Sequence, residues 1–152
     1  MNLGEVELSV FEALNDYAVE YLVVGGCAMQ SLGMERDTAD VDVLISHSEM
    51  NVQRLCDALE KLGERPRHPE NLIKPHQELN LFRYPFEIFT SMDGVDFLQG
   101  FGRHTVETQN GIQIRVMSAA DLLTIKQESR DKALRRVQKE ERDIAFIKER
   151  CV

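Results

Sequence analysis

The chain has no tryptophan, and among its 152 residues there are only three cysteines and four prolines. Cys27, Cys56 and Cys151 show no Cys-x-x-Cys spacing, so neither a disulfide scaffold nor a zinc knuckle is expected. No apolar run approaches the roughly 18 residues that a membrane span requires. The opening residues, Met1-Asn2-Leu3-Gly4-Glu5, lack the basic stretch of a secretory signal. A cytoplasmic protein with no membrane association is the expectation. Basic charge is also short, since 18 Lys and Arg face 26 Asp and Glu for a formal net charge of −8. That balance excludes a protein that coats nucleic acid with its whole surface, while leaving room for a local site.

What is present is one globular chain, 43% apolar and 29% charged, long enough to bury a single core. A single domain over 1–152 is expected. The acid excess is uneven: residues 1–76 carry 14 acids and 6 bases, whereas 77–152 carry 12 of each. Carboxylates are therefore concentrated in the first half.

Leu8, Phe11, Leu14 and Ala18 recur at three- and four-residue steps, which predicts a helix over 5–17. Tyr21-Leu22-Val23-Val24 is a short apolar strand stopped by Gly25-Gly26, with a short helix over 27–32. Residues 39–45 alternate acid and aliphatic, the period of a strand with one polar face. A helix over 48–62 follows, then a proline-bearing crossing over 65–76, strands over 78–90 and 95–98, the first interrupted near Pro85, and a hairpin over 105–116 around Asn110-Gly111. Ser118 with Asp121 opens a helix to about 129, and Leu134, Val137, Ile144 and Ile147 stripe a final one. The fold class is α/β (α+β), a mixed sheet flanked by helices.

Asp40 and Asp42 stand two residues apart on the predicted strand, so both carboxylates leave one face. Like charges forced together call for a cation, and Mg²⁺ suits them because it binds through one or two carboxylates plus a substrate's phosphates. Two such ions can bridge a triphosphate and activate an attacking hydroxyl. A third carboxylate would complete that set. Asp96, in Val95-Asp96-Phe97, is the preferred candidate, as ligand or as base, and Glu87 is the alternative that Pro85 disfavours. Gly25-Gly26, between strand and helix, lets backbone amides approach a phosphate closely. Neither a Walker loop nor a Gly-x-Gly-x-x-Gly run is present.

These residues resemble the nucleotidyltransferase superfamily, whose fold is shared with DNA polymerase β. The matching elements are Val24-Gly25-Gly26, a thirteen-residue spacer, and Asp40-Val41-Asp42-Val43. The wider run, including Arg36 and Thr38, is similar to small bacterial members related to abortive-infection toxins and lincosamide nucleotidyltransferases. The hairpin at Asn110-Gly111, Leu122-Leu123-Thr124-Ile125-Lys126, and Arg135-Arg136 with Asp143 extend the likeness. It implies a polymerase β-like core over about 21–116 with C-terminal helices over 118–150. It also implies transfer of a nucleoside monophosphate from a nucleoside triphosphate to a hydroxyl, with Mg²⁺ or Mn²⁺, two ions with the bound nucleotide, held by Asp40, Asp42 and Asp96. Gly25, Gly26, Arg36, Thr38 and Lys126 would contact the nucleotide. The acceptor, whether tRNA, protein or small molecule, is left open, as is a homodimer or a toxin-antitoxin partner. Many family members carry Ser where this chain has Gly26, so phosphate contact there falls to the backbone.

Several residues carry a structural and a functional reading side by side. Arg36 can pair with a triphosphate or with Asp37 or Asp40. Lys126 can reach the site or sit in solvent. The basic stretch after it can face RNA, a partner or water. A nucleotide-binding module with little catalysis, and a sugar-nucleotide transferase, are the competing classes.

Overall fold

The computed structural model describes residues 1–151, with side chains through Arg150. Its elements run α1 (Glu5–Asp16), β1 (Tyr21–Val24), α2 (Gly25–Ser31), β2 (Val41–Ile45), α3 (Glu49–Lys61), β3 (Glu78–Asn80), β4 (Phe86–Phe89), α4 (Phe97–Gly102), β5 (Thr105–Gln109), β6 (Ile112–Val116) and α5 (Ala119–Cys151). Six strands form one mixed sheet in the order β3-β4-β2-β1-β6-β5. β2 pairs with β1 antiparallel and with β4 in parallel, so the acidic strand lies inside the sheet. β6 joins the other side of β1 in parallel. The expected mixed sheet with flanking helices is what forms.

The two sheet faces differ. Strand alternation sends Tyr21, Val43, Phe86 and Ile88 to one side, where all four are buried. There Phe11 of α1 packs between Tyr21 and Phe86, with ring centroids 5.6 and 5.3 Å away. Buried Asn51 of α3 ties that helix to the start of β1: its Nδ2 donates to the carbonyls of Glu20 and Ser46, and its Oδ1 accepts from the Glu20 amide. The opposite face carries Leu22, Asp42, Leu44, Glu87 and Phe89, and is covered only in part, by α4 and the first turns of α5. Asp42 and Glu87 thus stand on a face that is left partly open to solvent.

Three expectations are corrected. Residues 95–98 are not a strand: Asp96 caps α4, its Oδ2 accepting from the Gln99 amide at 3.1 Å. A four-residue run cannot distinguish strand from helix by period, and an Asp with a free amide three residues on starts a helix. The strand over 78–90, expected to be interrupted near Pro85, does break there, but its halves β3 and β4 fold back on each other across Leu81–Pro85 rather than running on in one line. The two C-terminal helices are one, because nothing between Ser129 and Leu134 breaks the chain of helix formers. At the hairpin, Asn110 and Gly111 take φ of 51° and 79°, the left-handed pair of a two-residue turn.

The α4 and α5 cover is fastened by Arg103, whose Nε and Nη2 donate to the two oxygens of buried Asp121 at 3.1 and 2.9 Å. That fork holds the Asp121 carboxyl below its ordinary pKa. Asp121→Asn should cost about 1 kcal/mol at neutral pH in urea unfolding, discounted because Arg103 is half-exposed. Since the folded-state pKa is depressed, the difference between the two proteins should hold above the unfolded carboxylate value, about 4, and shrink as pH falls through the folded one. A cost that persists unchanged at acid pH would mean the ion pair contributes nothing.

Candidate functional site

Register assembles the site. Val24 lies opposite Asp42, and Asp42 opposite Glu87, so the end of β1, the start of β2 and the start of β4 stand side by side. Adjacent strands are about 4.8 Å apart and partners across them point the same way. Asp42 and Glu87 are therefore neighbours on the open face. β3 extends the row, because Asn80 pairs with Glu87, and Glu78 leaves β3 on the same face. Both central carboxylates are half-buried.

Their proton affinities report the crowding. Asp42 is raised above its ordinary pKa, chiefly by burial and then by Asp40, with Glu78 adding to it. The Lys126 ammonium and the Arg36 guanidinium pull it the other way without prevailing. Glu87 is likewise raised, by burial first and then by Asp42, Glu78 and Asp40. Asp42, Glu87 and Glu78 from three strands, with Asp40 just ahead of β2, thus share one electrostatic neighbourhood, with two bases at its margin.

Asp40 lies just before β2 rather than in it, and is exposed. Asp96 is not among the groups acting on Asp42 or Glu87. It lines a separate cavity of about 360 Å³ with Leu44, His47 and Met92. Glu78 escaped notice in the sequence because nothing local reveals that β3 folds back beside β4; only the pairing does.

The glycine turn abuts the carboxylates directly. Gly25 has φ +64°, and a Cβ there would come within 2.3 Å of Asp42 Oδ2. A side chain is thus forbidden by conformation and by space. At Gly26 a Cβ would meet Thr38 Cγ2 at 2.3 Å and approach Arg36 Nε at 3.6 Å. The segment before β2 therefore lies over the turn, held by Thr38 Oγ1 against Cys27 Sγ at 3.4 Å and by Gln30 donating to the Arg36 carbonyl. Gly25, Gly26, Arg36, Thr38 and Asp42 are brought together, and Lys126 faces them from α5. Cys27 is buried with its thiol pKa pushed up by desolvation, which makes it a poor nucleophile.

No protein-family model and no curated protein matches the sequence. Among solved structures the chain is similar to the crystal structure described as "a putative nucleotidyltransferase" from Thermotoga maritima. The two are 17% identical with a TM-score of 0.57, over 95% of this chain and 92% of that one. At that identity the likeness shows the fold alone.

As for a metal, the donor set is all hard carboxylate oxygen, the chemistry Mg²⁺ prefers. Among the described residues, however, no three acid, His or Cys side chains converge closely enough to hold an ion by themselves. The residues fit an ion that arrives with substrate phosphates, and do not form a ready-made cage. No helix among them is long and apolar enough to cross a membrane.

The contact at Gly26 gives a direct test of this geometry. Gly26→Ala should cost roughly 1 kcal/mol in denaturant unfolding, and adding Thr38→Ser, which removes the methyl, should recover most of it. Gly25→Ala should cost more, about 1–2 kcal/mol, and gain nothing from Thr38→Ser. Strict additivity of the Gly26 and Thr38 changes would contradict the packing.

Proposed function

We propose that this chain is a divalent-metal-dependent nucleotidyltransferase, moving a nucleoside monophosphate from a nucleoside triphosphate to an acceptor hydroxyl. The observation that carries the reading is the juxtaposition of Gly25, Asp42 and Glu87 at the ends of three adjacent strands. Half-buried carboxylates that Lys126 and Arg36 compensate only in part, beside a turn stripped of side chains, suit a cation and a phosphate chain entering together. The fold likeness to the Thermotoga protein supports the same class.

Asp40 and Asp42 would hold the metal. Glu87 is favoured over Asp96 as third carboxylate, because it is Asp42's register partner while Asp96 caps a helix. Gly25 and Gly26 would offer the phosphates close backbone access, with Arg36, Thr38 and Lys126 around them. α2 has seven residues and only a small dipole, so the fit rests on access rather than on the helix. Mg²⁺ or Mn²⁺, when bound, would neutralise charge on the phosphates. The acceptor oxygen forms its bond to the α-phosphorus while the bond to the bridging oxygen breaks and pyrophosphate leaves. The acceptor's proton goes to a carboxylate, and the raised proton affinity of Glu87 suits that task. Little beyond positioning and charge is needed for such a transfer.

A second reading, a nucleotide-binding module of toxin-antitoxin or regulatory type, is favoured by one observation: no complete three-ligand set converges among the described residues. Labelled nucleoside triphosphates with Mg²⁺ and pooled RNA, protein and small-hydroxyl acceptors separate the two. Label transfer should fall roughly 10²-fold or more in Asp42→Asn and in Glu87→Gln, and stay near wild type in Asp96→Asn. Nucleotide should raise Tm by several degrees only when Mg²⁺ is present. A Mg²⁺-dependent Tm rise without transfer selects the binding module, and transfer unchanged in Asp42→Asn removes the proposed site.

A further inference from the structure

α5 is 33 residues long, about 50 Å, which is more than the body of the protein uses. Its first turns pack on the domain through Asp121 and Leu122, both buried, and Ile125. From Lys132 to Arg150 every side chain is exposed. A helix that length gains little from propensity alone and is ordinarily stabilised by burying an apolar face.

Such a face exists, and it points away from the domain. Leu123, Leu134, Val137 and Ile144 are 58%, 56%, 50% and 52% exposed. With Gln127, Arg130, Glu141 and Lys148 between them they continue one alternating four-three spacing without a break. That is the spacing of a coiled-coil seam with half of its eight positions apolar; it runs along the side of α5 opposite Ile125 and Asp121, while exposed Phe146 and Ile147 lie off it. A partner helix can therefore lie along the whole seam without meeting the domain. The exposed bases Lys132, Arg135, Arg136 and Lys139 lie on the other side, away from it.

The seam also specifies its occupant. Arg130 and Glu141 lie at equal sequence distances on either side of the midpoint between Leu134 and Val137. Two copies laid antiparallel about that midpoint stack Leu134 on Val137 twice and set each Arg130 against the other copy's Glu141, with Gln127 meeting Ile144 and Leu123 meeting the Lys148 stem toward the ends. A parallel pair would instead oppose Arg130 with Arg130, Glu141 with Glu141 and Lys148 with Lys148. Among the described residues the Arg130 guanidinium pairs with adjacent Asp131, at 3.3 Å and largely exposed, a pair that holds it weakly. Charged seam positions cost stability and fix register, as in other coiled coils.

We infer that α5 is a self-association helix, pairing antiparallel with α5 of a second copy of this chain through Leu134, Val137 and the Arg130–Glu141 cross-pairs. The inference is independent of the proposed chemistry. Size-exclusion chromatography with light scattering, over a range of concentrations, tests it on the full chain. The wild-type mass should rise from 17.4 kDa toward twice that value with concentration. Arg130→Glu and Glu141→Arg should each weaken the dimer about tenfold or more, with the near-ultraviolet circular dichroism of the packed core unchanged. The double variant Arg130→Glu/Glu141→Arg should restore it. A wild type monomeric up to about 1 mM overturns the inference. So do single variants that dimerise as wild type, and a double variant no better than the singles, which denotes parallel pairing or another surface. Binding of monomeric wild type to phosphatidylserine vesicles would reassign the seam to a membrane and overturn it too.

Discussion

The pairing of β1, β2 and β4 sets everything else. Because Asp42 sits between Val24 and Glu87 in the register, a one-residue slip would turn Asp42 into the core and Val43 into solvent. The hydrophobic side of the same strands, Val43 and Ile45 with Phe86 and Ile88, makes that slip expensive. The apolar pattern thus fixes where the carboxylates stand, and does so at their own electrostatic cost.

The layers follow from that arrangement. α1 and α3 seal one sheet face, with the Phe11 rings and the Asn51 hydrogen bonds holding them in place. The other face is only partly covered, by α4 and the start of α5, which the Arg103–Asp121 fork joins. α5 thereby does two things at once: it delivers Lys126 toward the acids and carries a seam outward. The acid excess noted at the start is divided the same way. Residues 1–125 hold a net −11, from 20 acids and 9 bases, and 126–150 hold +3, from 6 acids and 9 bases.

Much of this was legible in the sequence wherever local pattern and global packing agree. The strand at Tyr21–Val24, the glycine stop, the alternation around Asp42 and the Asn110-Gly111 hairpin each carry their structure in a few adjacent residues. What stayed hidden is non-local. The return of β3 beside β4, which brings Glu78 to the site, depends on pairing across the Leu81–Pro85 turn. The strand expected over 95–98 failed for a related reason: Val-Asp-Phe reads as strand, but Asp96 caps α4, its carboxylate accepting from the Gln99 amide. The steric interlock of Thr38 with Gly26 joins residues twelve apart through a loop with no periodicity, so no spacing rule could reveal it.

In the proposed reading, Asp40, Asp42 and Glu87 hold a divalent ion together with a nucleotide at the glycine turn. Mn²⁺ relaxation of backbone amide signals, measured with and without a nucleoside triphosphate, tests it without needing to know the acceptor. Broadening centred on Gly25, Gly26, Asp42 and Glu87, and strengthened by nucleotide, is the result expected. Broadening centred on Asp96 and His47, or spread evenly over the acidic surface whether or not nucleotide is present, would contradict it.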